Sequence, residues 1–205
     1  EEIVKYLRPW VKKKKAWAQY LMGQHYFNGT GVKRSYEMAR MLYEPAAQQG
    51  DASAMYNLGV MYVHGLGVEQ SYEKAFEYYE QAAHLGLANA QFDLGCFYRD
   101  GKGVKQSYEM AKRLFEQAAQ QGDVAAMYTL GVMYYHGGGV EQSHEKAFEY
   151  YEQAAQLGYP EAQYNLGFMY SNGKGVKQSF SNAKELYELA IQQGHVSAIV
   201  NLGIL

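Results

Sequence analysis

The chain has 205 residues, of which 48% are hydrophobic and 15% aromatic, so it contains enough apolar side chains to build a core. Its formal net charge of -2 argues against nucleic acid as a partner, because nucleic-acid binders usually carry a strongly basic domain or stripe. Cys96 is the sole cysteine, which excludes an internal disulfide and a multi-cysteine metal site, and the sequence has no run of about 20 apolar residues that could span a membrane.

The first fifteen residues differ in pattern from the rest of the chain. Pro9 separates a short helix-like stretch from four consecutive lysines at positions 12–15. We interpret residues 1–15 as a segment that caps or links the remainder, residues 16–205. Alternatively, Trp10 and Trp17 beside the basic run form a secondary contact for an acidic partner or an anionic lipid.

From residue 16 onward the sequence repeats every 36 residues without an insertion. In the unit that covers residues 52–87, apolar side chains recur at helical spacing in both halves, which predicts two amphipathic helices, A and B, of about 13 residues each. We predict five full repeats and the first helix of a sixth. The loop Gly-x-Gly-Val marks each repeat and begins at Gly29, Gly65, Gly101, Gly137 and Gly173.

Small residues punctuate each repeat. Ser71 precedes helix B, where its hydroxyl can accept a hydrogen bond from a free backbone N–H, and Gly86 stands where helix B must end. Gly59 lies inside helix A at a cost of about 1 kcal/mol relative to alanine, which indicates that a neighbouring helix approaches closely. We predict that Ala75 and Ala82 form the opposing contacts.

The C-terminal stretch AIVNLGIL falls inside a helix A and leaves its apolar face uncovered. Terminal repeats normally carry a polar cap, so we expect either a fragment of a longer protein or end-to-end self-association. The sequence does not begin with Met and shows no signal peptide, and no compartment is assigned.

Two stretches together identify a resemblance. Helix A and its loop read Ala-x-Ala-x-Tyr-x-Leu-Gly-x-Met-Tyr-x-x-Gly-x-Gly-Val, and helix B reads Ala-x-x-x-Tyr-x-x-Ala-Ala-x-x-Gly. This pattern resembles the Sel-one-like repeat (SLR) family, a group of tetratricopeptide-like proteins, across about residues 16–205. The resemblance implies an all-α fold, a right-handed α-solenoid of helix pairs, in which helix A lines the concave surface. It also implies an adaptor that assembles protein complexes.

When the solenoid geometry of the family is applied to this sequence position by position, the concave surface presents rows of aromatic, small and polar side chains. Such a groove suits an extended peptide or a partner helix. The first row consists of Tyr20, Tyr56, Phe92, Tyr128 and Tyr164, and each of its tyrosines fits a packing role as well. Repeat 3 has Cys96, Arg99 and Asp100 where repeat 2 has Val, Val and His, and this difference predicts a polar centre in the groove. The candidate binding residues are Tyr56, Val60, Val63, His64, Phe92, Cys96, Arg99, Asp100, Tyr128, Val132, Tyr135, His136, Tyr164 and Phe168.

We therefore predict a protein-binding scaffold without a cofactor, a metal or catalytic residues. One alternative is a regulatory solenoid domain of a larger enzyme or of a membrane-complex subunit. A more remote alternative is β-lactam hydrolysis, which the resemblance associates with cysteine-rich relatives that carry a cysteine pair in each repeat. This chain lacks those pairs, and no base is identifiable in the sequence that would make Cys96 a nucleophile.

Overall fold

A computed structural model describes residues 2–205, which form twelve α-helices and no β-strand. After α1, the even-numbered helices are the predicted A helices and the odd-numbered ones are the B helices. The bounds are α1 (Glu2–Lys12), α2 (Ala16–Asn28), α3 (Tyr36–Gln48), α4 (Ala52–His64), α5 (Tyr72–His84), α6 (Ala88–Asp100), α7 (Tyr108–Gln120), α8 (Val124–His136), α9 (His144–Gln156), α10 (Pro160–Asn172), α11 (Phe180–Gln192) and α12 (Val196–Leu202).

The chain divides into two compact units, one up to Ser107 and the other from Tyr108 to Leu205. Helices α1–α6 make up the first unit, unit 1, and helices α7–α12 make up the second, unit 2. Within each unit, successive helices pack against one another along the chain. The A helices α2, α4, α6, α8 and α10 begin 36 residues apart, so the predicted all-α repeat is confirmed.

Serine side chains cap the starts of the B helices and left-handed glycines follow their ends, as the sequence predicts. The Ser71 hydroxyl accepts a hydrogen bond of 3.2 Å from the backbone N–H of Lys74. Ser35, Ser143 and Ser179 make the same bond, and α7 begins directly after Ser107. Gly86 follows helix B with φ +86°, a conformation that side chains disfavour. These caps fix where each B helix starts and stops.

The glycine inside helix A faces a tyrosine of helix B. A Cβ atom placed on Gly59 would lie 2.5 Å from Cε1 of Tyr79, and the Tyr79 ring supplies all three of its nearest atoms. The prediction that Ala75 and Ala82 make this close approach is therefore wrong. Both alanines are fully buried, but the tyrosine ring is the group that requires the glycine. Three further glycine–tyrosine pairs repeat the contact, namely Gly23–Tyr43, Gly131–Tyr151 and Gly167–Tyr187.

Helix α1 follows the register of a B helix. Leu7 is fully buried like Tyr43, its equivalent 36 residues later. The N–H of Lys15 donates to the Trp10 carbonyl at 3.1 Å, and the equivalent bond from Asp51 to Ala46 has the same length. Lys14 has φ +54° where the later repeats have glycine. Residues 2–15 therefore pack against α2 in the way that a B helix and its closing turn would.

Candidate interaction groove

The predicted groove residues lie beside the buried stripe of each A helix. In α8, Leu130 is fully buried, whereas Tyr128, Val132 and Tyr135 are half-buried and His136 is exposed. The same order holds in α4, where Tyr56, Val60 and Val63 are half-buried and His64 is exposed. The half-buried side chains of this surface thus face solvent on one side and pack against the core on the other. We call this surface the A-helix face.

First-row tyrosines pack between repeats. The Tyr128 ring centroid lies 5.8 Å from that of Tyr151 and 5.2 Å from that of Tyr159, and the Asn165 amide donates to the Tyr128 hydroxyl at 3.5 Å. Burial raises the pKa of Tyr128, so its hydroxyl stays protonated near neutral pH. Tyr164 is held in the same way, through a bond of 3.1 Å from Asn201 to its hydroxyl. This row links one repeat to the next.

A pocket of about 270 Å³ opens on the A-helix face of unit 2. Four of the predicted groove residues line it, and they come from α8 and α10; Tyr128 and Val132 lie outside the lining. Tyr151 of α9 and Asn165 of α10 complete the wall, and sequence reasoning missed both. The lining residues are Tyr135, His136, Tyr151, Tyr164, Asn165 and Phe168.

Lys174 adjoins this pocket from the Gly-x-Gly loop after α10. Its Nζ atom donates a hydrogen bond of 2.8 Å to the Tyr135 hydroxyl. The same atom lies 5.2 Å from the centroid of the Tyr135 ring and 5.5 Å from that of Phe168. A cation over an aromatic face is attracted by about 0.5–1 kcal/mol at an exposed site. The ammonium group is therefore positioned beside two of the residues that line the pocket.

The polar groups predicted for repeat 3 pair with one another in unit 1. Nε of Arg99 lies 2.8 Å from Oδ1 of Asp100, and Nζ of Lys102 lies 3.6 Å from Oδ2. The hydrogen bond from Arg99, aided by the charges of Arg99 and Lys102, lowers the pKa of the Asp100 carboxyl. The charges of this cluster thus compensate each other locally.

Cys96 stands in a setting that suppresses thiol reactivity. Burial raises its pKa to about 11, and the opposing effect of the Arg99 charge is smaller. A thiol of this pKa is protonated at neutral pH, so Cys96 lacks the thiolate that a nucleophile needs. Among the predicted residues of unit 1, His64 and Asp100 are exposed, and those that are half-buried are Tyr56, Val60, Val63, Phe92, Cys96 and Arg99.

The requirements of a metal site and of a membrane-spanning helix are not met within residues 2–205. No cluster of three or more His, Cys, Asp or Glu side chains there is arranged to hold a metal ion. None of the helices in that range combines the length and apolarity needed to cross a membrane.

The family model for the Sel1 repeat matches five consecutive segments of the chain, residues 18–51, 52–87, 88–123, 124–159 and 160–195. The chain belongs to the Sel1 repeat family. Each matched segment from residue 52 onward is 36 residues long, which agrees with the helix pairs described above. No curated protein matches the sequence.

Solved Sel1 repeat structures resemble this chain over most of its length. A protective antigen of uropathogenic Escherichia coli that displays an SLR fold is 34% identical, with a TM-score of 0.95. The alignment covers 98% of this chain, which spans only 43% of the E. coli protein. A Sel1 repeat protein from Oxalobacter formigenes is 32% identical, with a TM-score of 0.85, and 92% of this chain and 75% of that one are covered.

A third solved structure, cysteine-rich protein B of Helicobacter pylori, is 25% identical over 65% of this chain and 94% of its own, with a TM-score of 0.51. The Sel1 repeat chain described here has one cysteine, so it differs from a cysteine-rich protein in composition. Sel1 repeat proteins are generally protein-interaction scaffolds. Their all-α, 36-residue repeat fold is the fold observed here.

Proposed function

We propose that this Sel1 repeat chain is a scaffold that binds a peptide or helix of a partner protein on its A-helix face, the concave surface of the predicted solenoid. The observation that supports this most is the pocket of about 270 Å³ in unit 2, whose walls come from three helices. Aromatic rings with polar ends supply a large contact area at a low cost in side-chain entropy, which is typical of residues that dominate protein interfaces.

Variation between repeats points to the same surface. Phe168 stands where the three preceding repeats have Val60, Cys96 and Val132, although the surrounding helix A is otherwise similar. Packing alone does not require this difference, because all four positions are half-buried. We therefore assign recognition to the rows that contain Phe168 and Tyr135 rather than to the first-row tyrosines.

Catalysis is not part of this proposal. The Cys96 thiol has a raised pKa, and the cysteine pairs of the β-lactam-associated relatives are missing from the sequence. Hydrolysis of a chromogenic β-lactam at a rate above that of a buffer control would contradict this assignment. A regulatory domain within a longer protein would use the same pocket for a segment of its own chain.

Selection from a random-peptide library tests the proposal even though the natural partner is unidentified. The affinity of the selected peptides is then measured for the parent protein and for the double variant Tyr135→Ala/Phe168→Ala. We expect the double variant to bind them at least tenfold more weakly, a loss of about 1.4 kcal/mol. Leu85→Ala/Leu157→Ala removes two exposed apolar side chains outside the pocket and serves as the matched control.

Circular dichroism and the thermal midpoint show whether each variant is folded. Selected peptides that bind the folded groove variant as tightly as the parent would overturn the proposal.

A further inference from the structure

Two lysines at the same loop position have different surroundings. Lys102 and Lys174 each occupy the variable position of a Gly-x-Gly-Val loop, 72 residues apart. Nζ of Lys102 lies 3.6 Å from a carboxylate oxygen of Asp100. Lys174 instead donates to the Tyr135 hydroxyl and lies over two aromatic rings. Among residues 2–205, no carboxylate oxygen comes within 4.0 Å of the Lys174 ammonium group.

Three substitutions between the repeats account for this difference. The residue equivalent to Asp100 is Asn172, which has no charge to offer a lysine. Tyr135 and Phe168, the rings beside Lys174, correspond to Val63 and Cys96 two repeats earlier. The later repeats have therefore exchanged an internal counter-ion for an aromatic support beneath the cation.

The hydrogen-bonding capacity of Lys174 is only partly used. An ammonium group carries three N–H donors, and one of them is directed to the Tyr135 hydroxyl. The two rings hold the side chain in place, which reduces the entropy that it would lose on pairing with a ligand. An incoming carboxylate would gain a charge-assisted hydrogen bond without displacing an existing ion pair.

We infer that the pocket in unit 2 selects a partner segment that carries a carboxylate next to an apolar or aromatic side chain. The apolar side chain enters between Tyr135, Tyr164 and Phe168, and the carboxylate pairs with Lys174. An acidic side chain and a free C-terminus provide the same chemistry. This inference rests on the proposed function, because it specifies the ligand of the same pocket.

The test uses a random-peptide library in two formats, one with internal random sequence and one with a free C-terminus. Peptides are retained if their binding requires Tyr135 and Phe168. We expect these peptides to be enriched in Asp or Glu beside an apolar residue, or to depend on the terminal carboxylate. Lys174→Met should weaken their binding about tenfold, which equals about 1.4 kcal/mol, whereas the matched control Lys102→Met should not.

Neutralised peptides separate the acidic group from the rest of the contact. Replacing Glu by Gln or Asp by Asn in the peptide, or amidating its C-terminus, should abolish the difference between the parent and Lys174→Met, and the arm that does so identifies the source of the carboxylate. If pocket-dependent peptides show no acidic preference and bind Lys174→Met as tightly as the parent, the inference fails while the proposed function stands. If no selected peptide depends on Tyr135 and Phe168, the proposed function fails and takes the inference with it.

Discussion

Gly59 lies at a point of helix A where the Tyr79 ring of helix B leaves no room for a side chain. The space that its side chain would fill is occupied by the Tyr79 ring, which is itself almost fully buried. Burial also raises the pKa of Tyr79. Its ring packs beside those of Tyr56 and Phe97, at centroid distances of 5.5 Å and 5.3 Å. A methyl group at this position has no empty volume to enter, so either the ring or the helix must move.

Overpacking a core costs about 1–3 kcal/mol, and alanine regains about 1 kcal/mol of helix propensity, so Gly59→Ala should lower the free energy of unfolding by a net amount of up to about 2 kcal/mol. Gly138→Ala is the matched control, since a Cβ there meets nothing within 4 Å and its backbone is not left-handed. Urea denaturation of both variants measures the difference. A Gly59→Ala variant about 1 kcal/mol more stable than the parent, which is the gain in helix propensity alone, would show that the two helices are not closely packed at this point.

Lys14 carries backbone strain that glycine would relieve. It is the non-glycine residue with positive φ in the described range, and the left-handed conformation costs an L-residue roughly 1–2 kcal/mol. Lys14→Gly should raise the free energy of unfolding by about 1 kcal/mol, since glycine adopts this conformation freely but loses more entropy on folding. Lys13→Gly, which changes a neighbouring exposed lysine without positive φ, should not stabilise the protein. A stabilisation by both variants in thermal denaturation would refute the strain argument.

At the level of the helices, a cavity lies between α1, α2 and α3. Repeats 2 and 4 have a stacked aromatic pair at the equivalent positions of helices A and B. Tyr62 stacks on Tyr78 at 5.7 Å, and Tyr134 stacks on Tyr150 at 5.8 Å. The equivalent of these stacked pairs in repeat 1 is Tyr26 with Leu42. The smaller side chain helps to leave a cavity of about 530 Å³, which both residues line.

Leu42→Tyr should restore the stacked pair of repeats 2 and 4. Aromatic pairs contribute about 0.5–1.5 kcal/mol beyond the area that they bury, so the thermal midpoint should rise. Leu114→Tyr makes the same change in repeat 3, where Leu114 is already buried, and we expect it to destabilise. A lower midpoint for Leu42→Tyr would show that the cavity cannot accept a ring in the stacked orientation.

Helix positions were predictable from sequence because a 36-residue period fixes every repeat once one is placed. The A and B helices, the serine caps and the terminal glycines all follow from it. The B-helix register of α1 was missed, since Lys14 replaces the expected glycine and Trp10 and Val11 replace the paired alanines.

The candidate site was only partly predictable, because its contacts join distant positions. Tyr135 and Phe168 were placed from their rows, whereas Lys174 was not. Lys174 lies 39 residues after Tyr135, and the direction of a loop side chain is not encoded in the period. Tyr151 of α9 was missed because the groove residues were sought on the A helices alone, although its ring reaches the pocket beside α8.

For the protein as a whole, exposed apolar side chains on α12 bear on self-association. Val196, Ile199 and Val200 are 73%, 55% and 62% exposed. We expect the protein to self-associate as its concentration rises, because association removes such side chains from water. Val200→Lys should shift the molar mass measured by light scattering towards that of the monomer. A monodisperse monomer of the parent protein at all concentrations would contradict this expectation.

Peptide binding by the A-helix face, and by the pocket of unit 2 in particular, can be mapped directly in solution. Amide chemical-shift mapping by NMR with a library-selected peptide requires no mutation and reports on the whole chain. We predict perturbations concentrated at Tyr135, His136, Tyr164, Phe168 and Lys174. Perturbations confined to the exposed surfaces of the B helices, with the pocket residues unchanged, would contradict the proposed function.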